Sequence, residues 1–128
     1  MTSLQHIFVI DDDPTNNLIC QKLLEKSGFT QKVSTYTEAS DAIEALKSLD
    51  GNEEYPELIL LDINMPPTSG WDFLDTFKQE GLTTTKVVML SSGVTPQDEE
   101  TASTYELIVK VLDKPLSIAK INELKTLF

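Results

Sequence analysis

Residues Leu58 to Gly70 read LILLDINMPPTSG, and the fold class follows from how that stretch is interpreted. The apolar run Leu58–Leu61 is short and uninterrupted, the pattern of a strand buried on both faces. Periodicity alone leaves a buried helix segment open, but Pro56 before the run and Pro66, Pro67 and Gly70 after it favour a strand. In an open parallel sheet flanked by helices, ligands bind at the carboxyl ends of the strands, which is where Asp62 falls. A carboxylate there can take a phosphoryl group as an aspartyl phosphate, provided it is accessible and its charge is compensated. The alternative at this point is an aspartate that merely ends a strand or caps a turn.

The segments on either side repeat the pattern. Leu4–Ile10 is apolar and β-branched and stops at Asp11, Asp12 and Asp13. Asp13 then fits an N-cap with Pro14 at the first helical position, and Leu18, Ile19, Leu23 and Leu24 supply an apolar stripe up to Gly28. Lys32–Tyr36 is a weaker strand, followed by Thr37 as a cap and a helix with Ala39, Ala42, Ile43, Leu46 and Leu49 on one side. Beyond Gly70 a helix carries Phe73, Leu74 and Phe77 toward Gly81. Lys86–Leu90 is a strand that ends in Ser91, Ser92 and Gly93. Thr95, Pro96 and Asp98 open a polar helix with a capping box and few apolar anchors. Ile108–Leu112 is a last strand ending at Asp113, Lys114 and Pro115, and Ser117 caps a helix expected to bury Ile118, Ile121, Leu124 and Leu127. Alternating strands and helices of this kind imply right-handed crossovers and an α/β fold with a parallel sheet covered on both faces.

Composition narrows the function. With 128 residues, 40% hydrophobic and 24% charged, the chain fits one ordinary globular domain spanning 1–128, with no segment left over for an attached effector. A net charge of -11 opposes direct binding to nucleic acid or to an anionic membrane surface. The single cysteine, Cys20, forms no internal disulfide or thiolate metal site and reads as a small buried hydrophobe on a helix. Met1–His6 lacks the features of a signal peptide, and no apolar run reaches membrane-spanning length, so the cytoplasm is the expected compartment.

If the first strand lies beside the central one, the chain reverses direction across the sheet there, and Asp11, Asp12 and Asp62 share the crevice that opens between the strand ends. Three converging carboxylates repel one another unless some are protonated or a cation sits among them. Magnesium suits such an oxygen-only set, Lys114 adds a positive charge, and the Ser91 hydroxyl could hydrogen-bond a phosphoryl oxygen.

Asp11, Asp12, Asp62, Ser91 and Lys114, all at strand ends and in this order, make the chain resemble the receiver domains of two-component response regulators over nearly its whole length. The resemblance implies a flavodoxin-like, three-layer (βα)5 sandwich with strand order 2-1-3-4-5. It implies Asp62 as phosphoacceptor, with Mg2+ held by Asp11, Asp12, Asp62 and the backbone carbonyl of Asn64. It also implies Ser91 and Lys114 as the residues that bind the phosphoryl group, and a sensor histidine kinase or histidine phosphotransfer protein as donor. Output would pass to a protein partner through the Pro96 helix, the last strand and the Ser117 helix, making the chain a signalling phosphoacceptor and not a turnover enzyme. Where many receivers carry Phe or Tyr as a switch, this chain has Val111. Lys110 replaces the usual glycine, and Thr68 and Ser69 stand where hydrophobic and acidic residues are common.

Two other readings are weaker. A magnesium-dependent phosphatase or phosphotransferase of the haloacid dehalogenase type usually carries a second aspartate two residues after the nucleophile, where this chain has Asn64. A non-phosphorylated, receiver-like interaction module has no need of the retained acidic set and lysine.

Overall fold

A computed structural model of the chain describes residues 3–128, so the first two residues of the Met1–His6 stretch lie outside it. In chain order the elements are β1 (Ile7–Ile10), α1 (Pro14–Ser27), β2 (Val33–Tyr36), α2 (Ala39–Leu49), β3 (Leu58–Asp62), β4 (Asn64–Met65), β5 (Thr68–Ser69), α3 (Gly70–Gln79), β6 (Lys86–Ser91), α4 (Pro96–Ala102), β7 (Ile108–Asp113) and α5 (Ile118–Lys125). Five parallel strands form a sheet of order β2-β1-β3-β6-β7, which is 2-1-3-4-5 once the short antiparallel pair β4–β5 is set aside. The central strand is β3: Leu60 pairs with Val9 on one side and with Val88 on the other.

The continuous apolar strands are buried on both faces because each alternate residue feeds a different core. Ile7, Val9, Leu58, Leu60, Val88 and Leu90 pack with Cys20 and Leu24 of α1 and Ile121 and Leu124 of α5. Phe8, Ile10, Ile59, Leu61, Val87 and Met89 pack with Ala42, Ile43 and Leu46 of α2 and Phe73, Leu74 and Phe77 of α3. The result is a three-layer α/β sandwich.

Four sequence expectations need correction. On α1, Leu18 and Ile19 are 52% and 46% exposed, and the buried positions are Asn17, Cys20 and Leu24. The helix is turned this way by Asn17, whose Nδ2 donates to the carbonyls of Asp11 (3.0 Å) and Tyr36 (3.2 Å), bridging the ends of β1 and β2. On α5, Ile118 is 40% exposed and Leu127 only partly buried. Leu116, just before the Ser117 cap, is buried instead, in the same core as Ile121 four positions into the helix, which is the arrangement of a hydrophobic staple. The cap of α2 is Glu38 and not Thr37, because the Ala42 N–H bonds the Glu38 carbonyl and the Glu38 backbone is extended. Finally, β1 starts at Ile7. Leu4 is buried but makes only an isolated bridge to Thr30. The Asp13–Pro14, Thr95–Asp98 and Ser117 caps form as expected.

Two packing details fix the frame of the sheet. His6 is buried just before β1, with Nδ1 2.7 Å from the Glu54 carbonyl and Nε2 2.7 Å from Ser34 Oγ. Since a carbonyl only accepts, Nδ1 carries the proton and the Ser34 hydroxyl donates to Nε2. Burial holds the His6 pKa below its ordinary value, with the Glu54 carbonyl bond opposing that shift in part. At the start of α3, Gly70 lies against β3: a Cβ there would come 2.5 Å from the Asp62 carbonyl oxygen and 2.8 Å from Met89 Cε. Glycine is required here by close approach.

Because the folded state resists protonating His6 while the unfolded chain accepts a proton near pH 6.5, stability falls as pH drops below about 6.5. His6→Gln removes that dependence, so the difference in melting temperature between wild type and variant changes in the variant's favour from pH 7 to pH 5; a constant difference contradicts the assignment. Helix propensity alone predicts that Gly70→Ala stabilises the protein by up to about 1 kcal/mol. The collision with the Asp62 carbonyl reverses the sign, and urea titration should show a loss of about 1–3 kcal/mol.

Candidate functional site

The carboxyl ends of β1, β3, β6 and β7 bring together the residues singled out at strand ends. Asp11 follows β1, Asp62 ends β3, Ser91 ends β6 and Lys114 follows β7. Backbone bonds lock these ends to one another. Asp11 N–H donates to the Tyr36 carbonyl (3.0 Å), Ile63 N–H to that of Leu90 (2.9 Å) and Lys114 N–H to that of Ser91 (2.7 Å). The side chains therefore stand on a rigid platform.

Asp11 and Asp62 are almost fully buried, at 1% and 3% exposure, while Asp12 is exposed. Lys114 bridges the buried pair, with Nζ 2.6 Å from Asp11 Oδ2 and 3.3 Å from Asp62 Oδ1. Asp62 Oδ1 also accepts the Asn64 N–H at 3.2 Å, and among the described residues nothing donates to its second oxygen. Burial, followed by the neighbouring Asp11 charge, pushes the Asp62 carboxyl up to about 6, against the opposing pull of Lys114. Lys114 is itself held above its ordinary value, the attraction of Asp11 and Asp62 outweighing a large desolvation penalty.

One oxygen from each of Asp11, Asp12 and Asp62 lies within 4.8 Å of the others. An oxygen-only, acidic cluster of this kind could hold a hard divalent cation, and it offers nothing to a thiophilic one. The Ser91 hydroxyl, 2% exposed, is engaged with the backbone of its own loop, 3.1 Å from the Gly93 carbonyl and 3.2 Å from the Gly93 N–H. The loop after Asp62 forms the β4–β5 hairpin, with Asn64 opposite Ser69 and Met65 opposite Thr68, so Pro66 and Pro67 make its turn. Val111 is half-buried and packs at the edge of the core beneath α2 and α3.

Sequence reasoning passed over Asn16 and Asn17. Asn16 Nδ2 donates to Asp11 Oδ2 at 2.7 Å, and Asn17 holds the Asp11 carbonyl. The available signal was their position in the first turn of a helix opened by Asp13 and Pro14, just after an acidic strand end. It also passed over the Trp71–Tyr105 pair, stacked at 5.7 Å with an 18° interplanar angle, in which Tyr105 Oη donates to Asp75 Oδ1 at 3.1 Å.

Among solved structures, the chain is similar to a two-component response regulator from Cytophaga hutchinsonii, with 27% identity, a TM-score of 0.89 and coverage of 98% of this chain and 96% of the other. It is also similar to a response regulator receiver protein from Dyadobacter fermentans, with 32% identity, a TM-score of 0.81 and 94% coverage of each. Among curated proteins it is 33% identical over 94 residues to the sensory/regulatory protein RpfC of Xanthomonas campestris, covering 71% of this chain but only 12% of that protein. No helix among the described residues is long and apolar enough to cross a membrane. The sequence model of the response regulator receiver domain matches residues 7–125, so the chain belongs to that family, the receivers of two-component signalling.

Proposed function

We propose that this receiver accepts a phosphoryl group on Asp62 from a phosphohistidine of a sensor kinase or phosphotransfer protein, and that the event changes a protein-binding face. The observation that carries the reading is the state of Asp62: a buried carboxylate with one undonated oxygen, crowded by Asp11 and only partly compensated by Lys114 at 3.3 Å. A purely structural aspartate at a strand end gains nothing from a second buried carboxylate beside it.

The donor set fits magnesium, since three carboxylates are present and no histidine or thiolate shares the cluster. The carboxylates of Asp11, Asp12 and Asp62 and the carbonyl of Asn64 would hold it, and it would supply positive charge opposite the phosphoryl oxygens. With its carboxyl titrating near 6, Asp62 is mostly ionised at neutral pH and can act as nucleophile. Its oxygen forms the new bond to phosphorus as the bond from phosphorus to the donor's ring nitrogen breaks, and that nitrogen keeps the electron pair. Lys114, on a flexible stem, then turns from Asp11 to the incoming oxygens. Ser91 reaches the phosphoryl group only by giving up its bonds to Gly93, which draws the β6–α4 loop toward the site. That loop leads into α4, where only Ala102 is buried, so the output surface of α4, β7 and α5 rests on the least anchored helix.

Donor and output surfaces separate on this reading. The exposed Leu18 and Ile19 lie on the helix that begins beside Asp11 and Asp12, and they suit a partner that must approach the mouth of the site. The acidic net charge of -11 favours partners with basic surfaces, in a cytoplasmic setting.

Incubation with acetyl phosphate and magnesium should add one phosphoryl mass, which Asp62→Asn abolishes; a modification that persists in the variant defeats the assignment. Trp71, the only tryptophan, follows Gly70, which touches the Asp62 carbonyl, and it stacks on Tyr105 just beyond α4. Saturating magnesium with fluoroberyllate, a phosphoryl mimic, should therefore alter its fluorescence, and silence of the signal would show that α3 and the α4–β7 connection do not follow the site.

A further inference from the structure

Asp11 is the most heavily hydrogen-bonded carboxylate of the site, and its donors differ in kind. Oδ1 accepts the Asp13 N–H at 2.9 Å. Oδ2 accepts both Lys114 Nζ at 2.6 Å and Asn16 Nδ2 at 2.7 Å. Asn16 occupies the third position of α1, counting from the Asp13 cap and Pro14, and its amide turns back past the helix start toward the end of β1. This is the reach of a capping-box side chain, directed here at a carboxylate and not at a backbone N–H. Its other neighbour, Cys20 Sγ at 3.7 Å, is a buried thiol pushed up to about 11, mainly by burial. That neutral sulfur is a weak acceptor and leaves the amide to Asp11.

We propose that Asn16 is a positioning residue for phosphoryl transfer, holding Asp11 in the rotamer that faces the cation once Lys114 leaves Oδ2. The inference rests on the assignment of Asp62 as a magnesium-dependent phosphoacceptor. Lys114 cannot stay on Asp11 and also follow a phosphoryl group on Asp62, so during the reaction Asn16 is, among the described residues, the one side-chain donor left on that oxygen. Without it the Asp13 N–H on Oδ1 is the remaining restraint among the described residues, and Oδ2 can swing about that bond, away from the negative charge of Asp62. The residue type also fits the task. A lysine or arginine would add charge that opposes a cation, and a carboxylate would repel Asp11, whereas an amide donates without charge. Partners that orient a metal's ligands in this way typically contribute about 10–100-fold to metal affinity.

The test compares the full chain with Asn16→Leu, which keeps similar size and branching without a donor, and with Asn16→Ala as a second variant. Calorimetric titration with magnesium should show about tenfold weaker binding in both variants. Labelling by acetyl phosphate should slow at limiting magnesium and recover to within about twofold of wild type at saturation, a split that loss of packing would not produce. Unchanged magnesium affinity in the variants, or a rate that stays low at saturating magnesium, overturns the role of Asn16 alone. A wild-type protein that binds no magnesium overturns the phosphoacceptor reading itself, and this inference with it.

Discussion

The structure is governed by a charge problem at one end of the sheet. Asp11 and Asp62 are removed from water within reach of a single lysine, and a third carboxylate, Asp12, stands at the rim. Burial first, and then the like charge of Asp11, push the Asp62 carboxyl up to about 6, and Lys114 only partly offsets this. The carboxylates cannot relieve the strain by moving apart. Asp11 and Asp62 extend from neighbouring parallel strands whose last paired residues are Ile10 and Leu61, and those strands are packed on both faces. The helices therefore serve the site indirectly: they make the sheet stiff enough to hold an unfavourable electrostatic arrangement, one that the proposed cation and phosphoryl group would relieve.

This also explains which parts of the chain could be read from its sequence. β1, β3 and β6 were legible because burial on both faces leaves an unbroken apolar run, and Asp11, Asp62 and Ser91 were legible because each breaks such a run at its carboxyl end; Lys114 follows the mixed run of β7, after Asp113. The sheet order and the helix sequence followed from strand and helix alternation and the family resemblance. The face of α1 was not legible, because apolar periodicity assigns the inward positions to Leu18 and Ile19, whereas the inward position is taken by Asn17 for the sake of two backbone carbonyls. Of the two, the Tyr36 carbonyl already takes the Asp11 N–H, so the Asp11 carbonyl is the one that depends on Asn17; leaving it unpaired would cost about 1–3 kcal/mol, and Asn17 takes the inward position although its own Oδ1 is buried without a partner. The β4–β5 hairpin was missed because two residues per strand carry no periodicity at all. The same holds for the extra residue in β7, where the register shifts as Val87 pairs with Ile108 and Val88 with Lys110, leaving Val109 unpaired on an edge strand. Bulges of that kind discourage edge-to-edge association and leave no composition signal.

On the proposed function, a change at Asp62 has to reach a surface although position 111 holds a valine. A β-branched side chain has no ring to swing and few rotamers to choose from. An aromatic contact near the site lies elsewhere: Trp71 at the start of α3 stacks on Tyr105 just past α4, and Tyr105 binds Asp75 of α3. Trp71 adjoins Gly70, which has no side chain to separate it from the Asp62 carbonyl, so a shift of the β3 end is passed to the start of α3 without slack. On the other side of the stack, Tyr105 is two residues past Ser103, the C-cap of α4, and α4 buries only Ala102. A helix held by one small side chain and one aromatic stack can be re-seated for little free energy. That matters for the proposed function, because a phosphoryl group on Asp62 could shift an equilibrium only by the difference in its interactions with the two states. A ring fully buried at position 111 would add its own desolvation and rotamer costs to that difference; the half-buried stack of Trp71 and Tyr105 adds less, and on the proposed function would require less of Ser91 and Lys114.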